Sequence, residues 1–213
     1  MTFLLPAVFP ILDSSVVPRI DRAAWLGRLG RSLADAGIRL IEYRNKPDTD
    51  AQVLADALVL RAALPSGQVR LILDDRADVA LAAGFDGVHV DSGDLPAAVA
   101  RRLLGPEAVV GTSATSEELL LEAMASPVDY ISFGPIFPTT TKQTSIEPIG
   151  LEGVRAYRKL AGRVAVLVAA AGITIETAPG ILVAGANSVA VSAAIFQASD
   201  PVAEFRRWIE LVS

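Results

Sequence analysis

The sequence predicts an α/β protein folded as a single (β/α)8 TIM barrel spanning residues 1–213. Three observations predict it. Eight short runs rich in Val, Ile and Leu alternate with longer helical stripes along the 213 residues, the pattern of strands separated by crossover helices. The runs are apolar almost throughout, as parallel strands buried on both faces are. No G-x-G-x-x-G follows the first run, and eight βα units in this length suit a closed barrel with tight connections better than an open doubly wound sheet.

The expected strands cover residues 4–12 (LLPAVFPIL), 38–43 (IRLIEY), 69–73 (VRLIL), 86–90 (DGVHV), 108–111 (AVVG), 128–132 (VDYIS), 164–169 (VAVLVA) and 187–191 (NSVAV). Helical stripes fall between them: Leu26, Leu29 and Leu33 ahead of Gly37, then Val53, Ala57, Leu60 and Leu64 ahead of Pro65. Asp200 is placed to cap the last helix, with Pro201 at its first position. Phe205, Trp208, Ile209 and Val212 form the face of that helix which would cover the barrel.

Composition narrows the function. The hydrophobic fraction is 52%, yet no apolar run reaches the 18 or so residues of a membrane helix, so no membrane partner is expected. The N-terminal stretch has no basic region and is broken by Pro6 and Pro10, which makes it a poor signal peptide and the cytoplasm the expected location. Without cysteine there is no disulfide framework, thiolate metal site or cysteine nucleophile. A net charge of −5 argues against nucleic acid as a partner but not against a small anion held by local cations.

In this fold chemistry gathers where strands exit at their carboxyl ends. Arg44 and Lys46 leave the second strand on one side, where they could hold phosphate oxygens or remain solvated cations. Asp75 and Asp94 leave the third and fourth strands side by side. Such a pair suits Mg2+, which takes few protein ligands, several waters and substrate oxygens; each aspartate could equally cap the helix that follows. Gly172, read as opening a helix over 173–185, and Ser192 stand at the usual phosphate end of such barrels. Gly172 could also be an ordinary turn glycine. His89, the only histidine, lies within a strand and reads as a packing residue rather than a general base. After the sixth strand comes FGPIFPTTTK (133–142), longer and richer in hydroxyls than a simple connection needs.

IEYRNK, LILDDRADVALAAGFDGVHV with Asp94, GTS, DYISFGPIFPTTTK, GLEGVR, AAAGIT and AGANSVAVSAAI together resemble thiamine phosphate synthase over nearly the whole chain. The DYIxxGPxFxTxTK segment is the most specific part. The resemblance implies a Mg2+-dependent transferase of thiamine biosynthesis. It would join a pyrimidine diphosphate to a thiazole phosphate, giving thiamine phosphate and pyrophosphate through early C–O cleavage and attack by the thiazole nitrogen. Carried onto this chain, Arg44, Lys46, Ser113 and Lys142 are the catalytic groups that hold the diphosphate, and Asp75 and Asp94 bind Mg2+. Thr139, Thr140, Thr141, Gly172, Ser192 and Ala193 receive the thiazole phosphate. Glu42, Tyr43, Asn45 and Asp74 complete the substrate-binding set. Pro135 and Pro138 would stiffen a loop that closes over the site. Oligomeric state, a homo-oligomer included, is left open.

Four positions depart from the family pattern: Glu42 for a usual glutamine, Asp74 for asparagine, Ala171 for the first glycine of a pair, and Ser192-Ala193 for a shifted serine. Asn45 for a common glutamate is a milder change. Glu42 and Asp74 replace amide donors by carboxylates, which would repel a diphosphate. A raised pKa, or Asp74 joining Asp75 and Asp94 on Mg2+, would offset this. Two other roles stay open, a non-catalytic barrel binding a phosphorylated ligand and a thiazole tautomerase-like enzyme, although retention of the aspartate pair and Lys142 argues against the second.

Overall fold

The computed structural model describes residues 4–139 and 146–212. Eight parallel strands close into a barrel in sequence order: β1 Val8–Asp13, β2 Leu40–Arg44, β3 Arg70–Asp74, β4 Gly87–Val90, β5 Val109–Ala114, β6 Tyr130–Phe133, β7 Leu167–Ala170 and β8 Ser188–Val191. Closure is made by β1 pairing with β8 as well as β2. The expected fold is the observed one, with shifts at the ends. β1 starts at Val8, beyond Pro6, and β5 continues through Gly111-Thr-Ser to Ala114.

Alternation along the strands separates two cores. Leu12, Ile41, Tyr43, Leu73, Ile131, Phe133, Ala169 and Val191 pack outward under the helices. Phe9, Leu40, Ile72, Val109, Tyr130, Val168 and Ala190 fill the barrel interior. Because side chains alternate with period two, the interior series continues upward into the polar residues at the strand exits, except on β7, where it runs through Ala170 to Gly172.

The helices bury the stripes read from sequence. Helix α1 (Arg22–Asp35) buries Leu26, Leu29 and Leu33, and α2 (Asp50–Ala63) buries Val53, Ala57 and Leu60 behind a Thr49 cap. Next come α3 (Ala77–Ala83), α4 (Ala97–Leu104), α5 (Glu117–Met124) and α6 (Gly150–Ala161). The outer layer is completed by α7 (Ala178–Ala184), the short α8 (Ala193–Phe196) and α9 (Pro201–Val212). The Asp200 carboxylate accepts from the N–H groups of Val202 and Ala203, and α9 lays the buried Phe205 and Trp208 against the barrel. Among the described residues no helix is long and apolar enough to cross a membrane.

One helix begins later than expected. Gly172 is followed by a turn in which the Thr174 N–H donates to the Thr177 hydroxyl, and α7 starts only at Ala178.

Candidate active site

At the carboxyl ends of the strands the barrel opens into a cavity of about 350 Å3. Its walls carry Asp13, Glu42, Arg44, Asp74, His89, Asp91, Ser113, Thr139, Gly172, Ser192 and Ala193. A neighbouring cavity of about 270 Å3 lies among the loops that follow β4, β5 and β6 and shares Asp91, Ser113 and Thr139.

Arg44 and Lys46 converge as their spacing implied. The Arg44 guanidinium pairs with Asp13 and lies 3.3 Å from Asp74, while the Lys46 ammonium pairs with Asp75 and lies 3.4 Å from Asp74. Asn45 and Tyr43 go the other way and are not brought to the cavity. Tyr43 is fully buried under the helices, its hydroxyl donating to Asp56, which also accepts from Arg22. Asn45 donates to the Tyr43 oxygen at 3.1 Å and accepts from Ser14 at 2.9 Å. Alternation explains both, since 43 and 45 turn outward where 44 lines the cavity and 46 reaches Asp74 and Asp75. Their expected contact with substrate gives way to a clamp on the β2–α2 loop.

Asp75 and Asp94 stand together at the exits of β3 and β4. Neither caps a helix: α3 and α4 have Arg76 and Pro96 before them with no side-chain cap. Asp94 accepts from the Asp91 N–H at 2.8 Å. Burial pushes its carboxyl up, and the adjoining Asp75 carboxyl adds to the rise. One Asp75 oxygen, Oδ1, is buried with no hydrogen-bond partner among the described residues. Asp75 has φ 66°, a left-handed conformation that aspartate tolerates.

Asp74 does not add a third carboxylate to that pair, for its carboxylate faces Arg44 and Lys46. Among the described residues no three histidine or acidic groups form a metal-binding cluster. Burial raises the Asp74 carboxyl, opposed by His89, Lys46 and Arg44. Glu42, 4% exposed on the cavity floor, is pushed up to about 7 by burial, with Asp74 and Asp91 adding and His89 opposing. So both added carboxylates are offset, by cations in one case and by proton uptake in the other.

Gly172 lines the cavity at φ 72°, and a Cβ there would lie 2.2 Å from the Phe137 carbonyl oxygen. Its bareness therefore admits the β6–α6 loop, whose Ile136 and Phe137 N–H groups donate to Ala170 and Ala171. Thr139 reaches the cavity from that loop. Thr140, Thr141 and Lys142 lie outside the described residues. Ser192 and Ala193 line the cavity beside Gly172, at the start of α8 after the neighbouring strand β8.

Three wall residues escaped the reading of sequence. Asp13 ends β1, and the strand-exit rule used elsewhere would have found it. Asp91 lies just past the end of β4, three residues before Asp94, where the same rule points. His89 does not pack under helices but faces the cavity, 6% exposed, and hydrogen-bonds Tyr130 and Ser113. Burial alone would lower its pKa; a hydrogen bond donated to Asp91 and the charges of Glu42 and Asp74 outweigh this and raise it to about 9.

A family model described as thiamine monophosphate synthase matches residues 15–195. The chain belongs to that family. It is 42% identical over 189 residues to the thiamine-phosphate synthase of Koribacter versatilis, covering 89% of this chain and 88% of that one. To the thiamine-phosphate synthase of Chloroflexus aurantiacus it is 41% identical over 208 residues, covering 95% and 94%. Among solved structures, the thiamine phosphate pyrophosphorylase of Pyrococcus furiosus superposes with a TM-score of 0.81 at 28% identity, covering 96% of this chain and 94% of that one. The enzyme class expected from sequence, a transferase, stands with this membership.

Proposed function

We propose that this chain is a thiamine phosphate synthase that condenses hydroxymethylpyrimidine diphosphate with hydroxyethylthiazole phosphate, releasing pyrophosphate. The observation that carries the reading is the convergence of Arg44 and Lys46 with Asp74 and Asp75 at one cavity mouth, beside Asp94. The guanidinium can fork two phosphate oxygens and the ammonium adds a compact charge, so the pair is suited to hold and then stabilise a leaving diphosphate.

Asp75 and Asp94 would hold Mg2+. Two adjoining carboxylates, one with an unpartnered buried oxygen, fit an ion that completes its shell with water and substrate oxygens. When bound, the metal supplies positive charge that stabilises the departing pyrophosphate.

This chain's own residues supply orientation and dryness. Ser113 offers a hydroxyl to the diphosphate from β5. Thr139 presents a donor from the β6–α6 loop, the resemblance gives Thr140, Thr141 and Lys142 the same task, and Gly172 with Ser192 and Ala193 forms the wall that receives the thiazole phosphate. Holding the thiazole nitrogen facing the pyrimidine's exocyclic carbon converts an encounter into an intramolecular step. Bond breaking at that carbon needs no strong base, so the step does not depend on Glu42, whose carboxyl burial pushes up to about 7.

Pyrophosphate release from purified protein tests the reading. Turnover is expected only with both substrates and Mg2+ present, and omission of any one abolishes it. A folded sample that binds thiazole phosphate without releasing pyrophosphate overturns the proposal.

A further inference from the structure

Three consecutive strands place His89, Gly111 and Tyr130 at one level of the barrel. His89 is the register partner of Gly111, which is in turn the partner of Tyr130. Gly111 is bare for a reason. A Cβ on it would stand 2.1 Å from Tyr130 Cζ and 2.5 Å from its hydroxyl oxygen, so the tyrosine ring crosses β5 through the space that a side chain would fill.

Having crossed, Tyr130 stacks on His89, with ring centroids 5.5 Å apart and an interplanar angle of 27°. Its hydroxyl meets His89 Nδ1 at 3.0 Å. The imidazole is thus fixed at one nitrogen and along one face, and its other nitrogen, Nε2, meets the Ser113 hydroxyl at 2.9 Å. Ser113 sits two residues above Gly111 on β5, one step nearer the mouth. Asp91 Oδ1 lies 3.4 Å from Nε2 on the same side, and Glu42 and Asp74 also face the ring.

We infer that His89, braced by Tyr130, is a positioning residue for Ser113, holding its hydroxyl in the direction from which it meets the leaving diphosphate. A serine hydroxyl on a strand can turn among rotamers and spin about its C–O bond. A 2.9 Å bond to an immobile imidazole fixes the oxygen in place and leaves its remaining hydrogen-bonding directions for the substrate, so the ordering is complete before substrate arrives. The inference rests on Ser113 contacting the diphosphate, as proposed above.

The test is a double-mutant cycle on steady-state turnover with both substrates and Mg2+, paired with thermal unfolding of each variant. His89→Leu and Ser113→Ala should each lower kcat by about tenfold or more, with smaller changes in KM, and the double variant should be no slower than Ser113→Ala alone. His89→Gln, whose amide nitrogen can reach the place of Nε2, should recover part of the loss. Tyr130→Phe keeps the stacked ring and folds even if His89→Leu does not. It should slow the enzyme less than His89→Leu does, and only when Ser113 is present.

Losses that multiply across the two sites, or a His89→Gln variant no better than His89→Leu at equal stability, overturn the inference and leave the Ser113 assignment standing. Wild-type turnover in Ser113→Ala overturns that assignment and the inference together.

Discussion

Ala171 has φ 69°, where a Cβ crowds the following carbonyl and costs about 1 kcal/mol or more. The family pattern puts the first of two glycines here, so the chain keeps a glycine's backbone without a glycine. Ala171→Gly should therefore stabilise the protein, by about 0.5 to 1 kcal/mol after the added freedom of the unfolded chain is subtracted; an unchanged or lower Tm would mean that the turn is not strained. Glu42 is the second residue whose chemistry departs from its surroundings. Burial raises it to about 7, so between the unfolded value near 4.5 and about 7 the folded chain keeps a proton that the unfolded chain has released. Its contribution to stability is accordingly greatest below about 4.5 and declines as pH rises to about 7. Glu42→Gln removes the titration while keeping the shape of the side chain. Its stability relative to the parent should grow by about 1 to 2 kcal/mol from pH 4.5 to pH 7.5, less than the full linkage because His89 loses a counter-charge. Parallel pH–stability curves for the two proteins would contradict the raised carboxyl.

Among the elements, the β6–α6 loop and the β7 exit are built as one unit. Gly134 at φ 149° and Gly172 at φ 72° leave room for the carbonyls of Ala170 and Phe137, each 2.2 Å from where a Cβ would stand. Gly172→Ala meets both a left-handed backbone and a carbonyl, and it should displace Thr139 with its loop. The expected outcome is a loss of about tenfold or more in kcat/KM for the thiazole phosphate, larger than any loss at Arg44 or Lys46 caused indirectly. Unchanged kinetics would separate this loop from the site. Strands and helices of this kind were legible in the sequence because each carries its own period: the Leu26, Leu29, Leu33 stripe and the apolar β3 run need no neighbour to be recognised. Lys46 and Asp75 were legible as candidates because a strand exit is a position in sequence. What a side chain meets across the barrel is not. His89 looked like packing since nothing local says that its strand neighbour Gly111 is empty and that Tyr130 fills the gap. Tyr43 and Asn45 were misplaced by reading the IEYRNK motif as a block, although alternation alone turns them outward. The late start of α7 depends on a Thr177 hydroxyl taking the Thr174 N–H, a local competition that apolar periodicity does not report.

Taken whole, the molecule carries a net charge of −5 and is expected to bind two anions, so the balance of charge at the cavity mouth decides affinity. Without ligand, Arg44 is engaged by Asp13 and Asp74, and Lys46 by Asp74 and Asp75. A diphosphate arriving alone must compete with those carboxylates and face Asp94 as well. Pyrophosphate without a divalent cation should therefore raise Tm little. With Mg2+ on Asp75 and Asp94, two acidic charges are neutralised and Lys46 no longer has to serve Asp75, so the same pyrophosphate meets a net positive mouth. At a hundred times its dissociation constant, a ligand that binds only the folded state adds about 2.7 kcal/mol, which for a domain of this size is roughly 5 to 10 °C in Tm. The shift should appear with Mg2+ and pyrophosphate together, be small with either alone, vanish on chelation, and be absent in Asp75→Ala, a variant that should also lose Mg2+-dependent turnover. A full shift in pyrophosphate and chelator would mean that Arg44 and Lys46 hold the anion unaided. A full shift retained in Asp75→Ala would take Asp75 out of the metal site and leave its buried oxygen without an explanation.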